Sequence, residues 1–369
     1  MTRNLRNLPL TKPIRSEEQY CNLMYTVVTH LLEVKTQQYF ASFLQERIFE
    51  PLGMKSTYIQ PDAVREAGKE GRMFTPYEWD EEKEEFREVK HQQVPEAQGA
   101  GSIHTTANDY ILWIQALLHP SSNSPITEAV YGSMTKPRII CNANSTHETL
   151  DPFTSPALYC AGLEQKWYRG YPIFQHYGGD PGIGVLIFFL PVQKFGGVIF
   201  CNGGAGGDVA GVLAGELIDA ALDVPEAERP DWNELARKDD EKYRAGLDDR
   251  VKEMLELPEE ADLKDVGEPL TREMEGYVGR YRSAGYHDMV VEVKDGRLFV
   301  DATDRTMGFW LTLKHVGGDD RFVGEAVDFY DSSKRKLAVK FRVEGENVEA
   351  VGMDLEEDLE DFVWFDRVE

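Results

Sequence analysis

The chain has 369 residues, with 65 acidic against 40 basic side chains and a formal net charge of −25 at pH 7. Its 41% hydrophobic and 11% aromatic content supplies a sizeable core, which excludes a disordered or fibrous chain, and its length suggests two domains. So negative a surface repels phosphate backbones and anionic lipid headgroups, so neither nucleic acid nor membrane is expected as a partner.

No stretch approaches the roughly 18 consecutive apolar residues of a membrane-spanning helix. The opening MTRNLRNLPLTKPIR is basic but has no apolar run behind it, so it does not read as a signal peptide. Cys21, Cys141, Cys160 and Cys201 show no CxxC spacing, which argues against a zinc site or a disulfide framework and for a reducing, cytoplasmic setting. His30, His119, His147, His287 and His315 show no metal-ligand spacing either, and no metal or cofactor is expected.

In chain order, residues 23–47 carry apolar positions at helical spacing and stop where Pro51 and Gly53 break the pattern. Residues 62–96 are rich in Glu, Lys and Asp and read as a solvated loop or hairpin. Thr106 is placed to cap a helix with Asp109 in its first turn, and YILWIQALL continues it to Pro120. A short helix is expected around Thr127–Thr135. From Leu158, short apolar segments divided by Gly and Pro predict antiparallel strands, with GVLIFFLP apolar enough to be covered on both faces. Residues 208–222 return to helical periodicity, so the order of elements predicts an α+β sandwich.

Residues 223–272 are acidic and read as a linker with one exposed helix over Trp232–Leu257. Beyond them, alternating strands and turns, with Asp295-Gly296 between two alternating runs, predict a small antiparallel β-barrel or curved meander. Its aromatics, Phe309, Trp310, Phe329 and Tyr330, are expected to fill it or to line a ligand pocket. Trp113, Trp167 and Trp310 are expected in a core or a cleft wall, and His104, beside a glycine turn, is read as structural. The glycine-rich NGGAGG reads as a strand-to-helix turn.

The chain contains no GxSxG, HExxH or Walker loop. Three segments in order carry more. Tyr20-Cys21-Asn22 is followed by a helix and IFEPLGMKSTY, then comes QGAGSIHTTANDYILWIQALL, then HYGGDPGIG with a hydrophobic strand, GGVIFCN and a helix. Together they resemble the serine β-lactamase-like family of class C β-lactamases, penicillin-binding-protein relatives, D-amino peptidases and esterases. Among these, the resemblance is nearest to members with a C-terminal lipocalin-like domain. The resemblance implies three bodies: a β-lactamase-like domain over residues 1–222, an acidic linker over 223–272 and a lipocalin-like barrel over 273–369.

It also implies a serine hydrolase working through an acyl-enzyme on an ester, amide or peptide. Tyr20 and Asn22 take the places of the family's YxN, in which the tyrosine shuttles a proton and the asparagine binds the substrate amide. His176, Tyr177 and Gly178 take the places of its strand motif, and the Gly179 N–H takes its share of the oxyanion hole, a large catalytic term. The nucleophile motif, SxxK, lies upstream of YxN in the family, and only nineteen residues precede Tyr20 here. The two SxxK matches, Ser133–Lys136 and Ser333–Lys336, lie downstream, and neither is expected to be the catalytic pair. The resemblance therefore implies an N-terminally truncated domain without its nucleophile. Two readings follow: a hydrolase whose serine lies outside these 369 residues, or a non-catalytic binding or scaffold protein of the same descent.

Overall fold

The computed structural model describes every residue except Met1, Glu81, Glu82, His147, Lys264–Val266, Glu268, Thr271, Asp319 and Glu369, so His147 lies outside the described residues. The chain divides into two compact units, Lys12–Arg237 and Lys238–Glu369, the second joined by Arg3–Thr11.

The first unit is built on a six-stranded antiparallel sheet in the order Phe195–Cys201, Ile183–Leu190, Tyr171–Asp180, Glu164–Tyr168, Leu158–Tyr159, Ile139–Ile140. The four long strands are those expected from the Gly- and Pro-divided apolar segments. Ile183–Leu190 has a paired strand on each side, and its side chains alternate between two cores. Ile187 and Phe189 pack with Ile114, Leu117 and Phe174, whereas Leu186, Phe188 and Leu190 pack with Ala210, Ala214 and Ile218. A strand buried on both faces loses the polar alternation of a one-sided sheet, which is why GVLIFFLP is nearly all apolar.

Two helices cover the sheet. Ala107–Leu118 begins as expected, with Thr106 Oγ1 accepting from the Asp109 N–H at 3.2 Å. Asp109 is buried and accepts from the Ser56 N–H at 2.6 Å and the Thr57 hydroxyl at 2.8 Å, which fixes this helix to the loop before Tyr58. Gly206–Ala221 follows the NGGAGG turn, and a Cβ on Gly184 would stand 2.2 Å from the Gly206 carbonyl carbon, so glycine is required where strand and helix touch.

The single helix expected over 23–47 is broken. Asn22–Thr36 is helical, Gln37 turns left-handed at φ 57°, and Phe40–Leu44 restarts the helix after the break. Glu33 supports the break, accepting the Gln37 N–H through its carbonyl and the Phe40 N–H through its side chain. The acidic stretch holds a helix, Pro61–Glu66, and a hairpin of Tyr77–Asp80 with Glu85–Glu88.

The second unit is a closed barrel of eight antiparallel strands in chain order from Gly279–Ser283 to Val363–Arg367, closed by Tyr281 opposite Arg367. Asp295 and Gly296, at φ 51° and 72°, make the tight turn between Lys294 and Arg297. Tyr277, Tyr281, Phe322, Phe341 and Phe365 fill the interior. Of the aromatics considered for a pocket, only Phe309 joins that core; Trp310 and Phe329 form an edge-to-face pair outside it. On the outer wall, Val251 and Leu255 of the helix Trp232–Met254 and the turn after it pack against Val316, Val323 and Ala338. That helical stretch is therefore docked on the barrel rather than wholly exposed.

Candidate active site

Tyr20 stands just before the helix Asn22–Thr36, with Cys21 extended at the cap position, and it is 47% exposed. Its ring lies 5.8 Å from His176, 6.0 Å from Tyr159 and 5.7 Å from Tyr25, so sequence positions far apart converge on one cluster. Two cavities flank the phenol. One of about 300 Å³ is walled by Tyr25, Tyr110, His176, Gly178 and Ile187, and one of about 290 Å³ by Glu17, Met24, Val28, Ile139 and Tyr159.

The helix carrying Tyr25 is held in place by close packing. The short turn Gln98–Gly101 approaches so near that a Cβ on Gly99 would stand 2.0 Å from Thr29 Oγ1 and 2.6 Å from the Tyr25 carbonyl oxygen. Only glycine permits that approach.

Hydrogen bonds order the cluster. His176 Nδ1 lies 2.6 Å from the Tyr177 carbonyl, which can only accept, so Nδ1 carries the proton. In the neutral ring Nε2 is then an acceptor, and the Tyr159 hydroxyl at 3.0 Å donates to it. Tyr159 oxygen in turn accepts from the hydroxyl of Tyr25, its other close partner. The direction is fixed along the line: Tyr25 to Tyr159 to His176. Both nitrogens of His176 are engaged, so it is a held, orienting group here. Burial, then the neighbouring Tyr25 and Cys21, push the Tyr20 phenol above its ordinary value, and burial with the Tyr25 hydrogen bond does the same for Tyr159. Among the described residues that wall the two cavities there is no Lys or Arg to draw a phenol down.

The strand Tyr171–Asp180 outruns one neighbour. Its pairing with Glu164–Tyr168 ends at Glu164 opposite Gln175, whereas its pairing with Ile183–Leu190 continues to Asp180. His176–Asp180 is thus a strand edge open on one side, and it carries Gly178 and Gly179, both exposed. An open edge offers backbone N–H and C=O groups to an extended ligand.

The structure brings Tyr20, His176, Tyr177 and Gly178 to one cavity. Asn22 is the first helical residue, exposed, and walls neither cavity; it does not cap its helix. The Tyr177 phenol points the other way, its oxygen 3.1 Å from where a Cβ on Gly211 would stand, and it contributes its carbonyl to His176 instead. Ser133 and Lys136 are both exposed and wall neither cavity, and Lys336 pairs with Asp248 at 3.1 Å in the barrel unit. Trp113 joins the core under the sheet, while Trp167 stands at the surface, 36% exposed. Tyr25 and Tyr159 are the participants that sequence reading missed. Neither stands in a motif; only the fold makes them neighbours.

No described helix is long and apolar enough to cross a membrane, and the described residues hold no cluster of three or more metal-ligating side chains. All four cysteines are free thiols.

Similarity to known proteins follows the same division. The sequence model of the Beta-lactamase family matches residues 1–222, and a domain of unknown function, DUF3471, matches residues 263–367. The unguisins hydrolase ungD of Aspergillus violaceofuscus is 32% identical over 341 residues, covering 86% of this chain and 58% of that protein. Its counterpart ungD' of Aspergillus campestris is 29% identical over 319 residues, covering 85% of this chain and 57% of its own. The chain thus spans somewhat more than half the length of the curated relatives it matches. Among solved structures, the octameric penicillin-binding protein homologue from Pyrococcus abyssi superposes with a TM-score of 0.48 at 16% identity, covering 94% of this chain and 65% of that one.

Proposed function

The chain belongs to the β-lactamase family, and from that premise we propose that the cleft around Tyr20 receives an ester, amide or peptide for acyl transfer. The observation that carries this reading is the placement of Tyr20 across a cavity from His176, beside the open edge His176–Asp180. The relatives named as unguisins hydrolases support it at the level of hydrolysis.

In this reading an extended substrate lies along the open edge, and the Gly179 N–H donates to its carbonyl oxygen, where negative charge develops during attack. Tyr20, whose hydroxyl has no hydrogen-bond partner among the described residues, holds a proton at the departing group. His176 orients: with Nδ1 on the Tyr177 carbonyl and Nε2 on Tyr159, it fixes the strand next to Gly178. Asn22 is assigned to the substrate amide by the resemblance alone.

The 369 residues place no SxxK before Tyr20, and among the described residues on the cavity walls there is no cation to lower the phenol's pKa. We therefore read the chain, taken by itself, as competent to bind and not to form an acyl-enzyme. The raised Tyr20 phenol favours a second reading, a non-catalytic binding protein using the same cleft.

Incubation with a fluorophosphonate and with a penicillin, followed by intact mass, tests both. No covalent adduct is expected, whereas an N-acetyl dipeptide amide should shift the Gly178 and Gly179 amide resonances saturably. A stoichiometric adduct on Ser133, or on any serine, overturns the first expectation. Unmoved Gly178 and Gly179 resonances overturn the cleft.

A further inference from the structure

A third cavity, of about 150 Å³, is walled by the strand Ile183–Leu190 at Ile183 and by the short strand Ile103–His104. Val64, Met73, Phe74, Ile103, Ile183 and Phe200 give it an apolar body. An apolar cavity of about that size accepts a single six-membered ring. Two histidines interrupt the apolar wall, their rings 5.5 Å apart. His91 donates from Nε2 to the Phe74 carbonyl at 2.8 Å, which leaves Nδ1 as the ring's acceptor, buried and without a partner among the described residues. His104 Nε2 is likewise buried and without a partner among them. Buried polar atoms of folded proteins are nearly always hydrogen-bonded, so two orphans on one cavity wall mark a place where something else supplies the bonds.

Lys69 and Arg72 complete the wall; Arg72 is exposed, so the cavity opens to solvent at its side. Neither cation has a carboxylate partner among the described residues. Two such cations make the cavity a poor host for a metal ion and a good one for an anion.

We infer that this cavity is a binding site for a small aromatic carboxylate bearing an O–H or N–H donor. The ring occupies the apolar body, the donor satisfies His91 Nδ1, and the carboxylate pairs with Lys69 and Arg72. Its described lining shares Val185 with the cavity at Tyr20, and the proposal does not depend on the reading of that cleft.

Isothermal titration with 4-hydroxyphenylacetate tests it. Saturable one-to-one binding is expected, weakened roughly fivefold for phenylacetate, which lacks the donor, and roughly tenfold by Arg72→Met. Arg72 is exposed, so that variant folds, and His91→Gln should abolish the preference for the hydroxylated ligand. Tyr20→Phe should leave the affinity unchanged. No saturable binding at millimolar ligand overturns the proposal, as would a crystal structure in which a protein segment fills the cavity. Equal affinity in wild type and Arg72→Met overturns the assigned orientation and with it the proposal.

Discussion

The Tyr159 hydroxyl donates to His176 Nε2 at 3.0 Å, while His176 Nδ1 donates to the carbonyl of its own neighbour, Tyr177, at 2.6 Å. This pair of bonds ties one of the short strands of the sheet to the open edge beside Tyr20. It also selects one histidine tautomer out of two.

The nitrogen resonances of His176 should therefore report the Nδ1–H form. Tyr159→Phe removes the donor to Nε2 but leaves the Tyr177 carbonyl on Nδ1, so the Nδ1–H form should persist, at a cost of about 1 kcal/mol in stability. A predominantly Nε2–H ring in the unmodified protein contradicts the assigned direction of the line.

Gly99→Ala places a methyl group 2.0 Å from Thr29 Oγ1 and against the Tyr25 carbonyl, so the helix carrying Tyr25 must move. The expected destabilisation is about 1–3 kcal/mol, as for other overpacked sites. Gly101→Ala, where a Cβ meets nothing within 4 Å, is the matched control and should be near neutral. Equal denaturation midpoints for the two variants contradict this packing.

In the barrel unit, Arg250 holds the buried Asp354 through its Nε at 2.9 Å and Nη2 at 2.7 Å. Arg250→Met leaves that carboxylate unpaired and should cost about 3–5 kcal/mol. Asp354→Asn in the same chain should recover part of the loss, which thermal denaturation of the single and double variants measures.

Burial, with smaller repulsion from His91 and Arg65, lowers His104 from 6.5 to about 4. Between those values the unfolded chain binds a proton that the folded protein does not, so this group's contribution to stability falls as pH drops from 6.5 toward 4. His104→Leu should make the stability profile over that interval shallower. An unchanged slope contradicts the lowered value.

Much of this fold is legible in the sequence because it rests on local rules. Thr106 caps where a threonine precedes an apolar-periodic run, and Asp295-Gly296 turns where two alternating runs meet. The break at Gln37 is not legible, since TQQY contains neither Gly nor Pro and the left-handed turn is stabilised by Glu33. The helix Pro61–Glu66 did carry a signal, a proline in its first turn, which the surrounding charge run obscured. At the site, the resemblance pointed to Tyr20 and His176, which the fold brings together. It could not supply Tyr25 and Tyr159, whose hydroxyls meet across 134 positions of sequence. Nor could it show that Asn22 faces solvent, because that depends on where the helix begins.

On the proposed reading, Tyr20 belongs to an acyl-transfer cleft in which none of the described residues walling its two cavities is a cation that would activate it. Titrating its phenol by ultraviolet difference between the protein and Tyr20→Phe tests this directly. The expected pKa lies above the ordinary 10.0, and Met24→Lys, which places a cation on the wall of the same cavity, should move it down. A Tyr20 that ionises below 10.0 in the unmodified chain would mean that an activating charge is already present, and would contradict that reading.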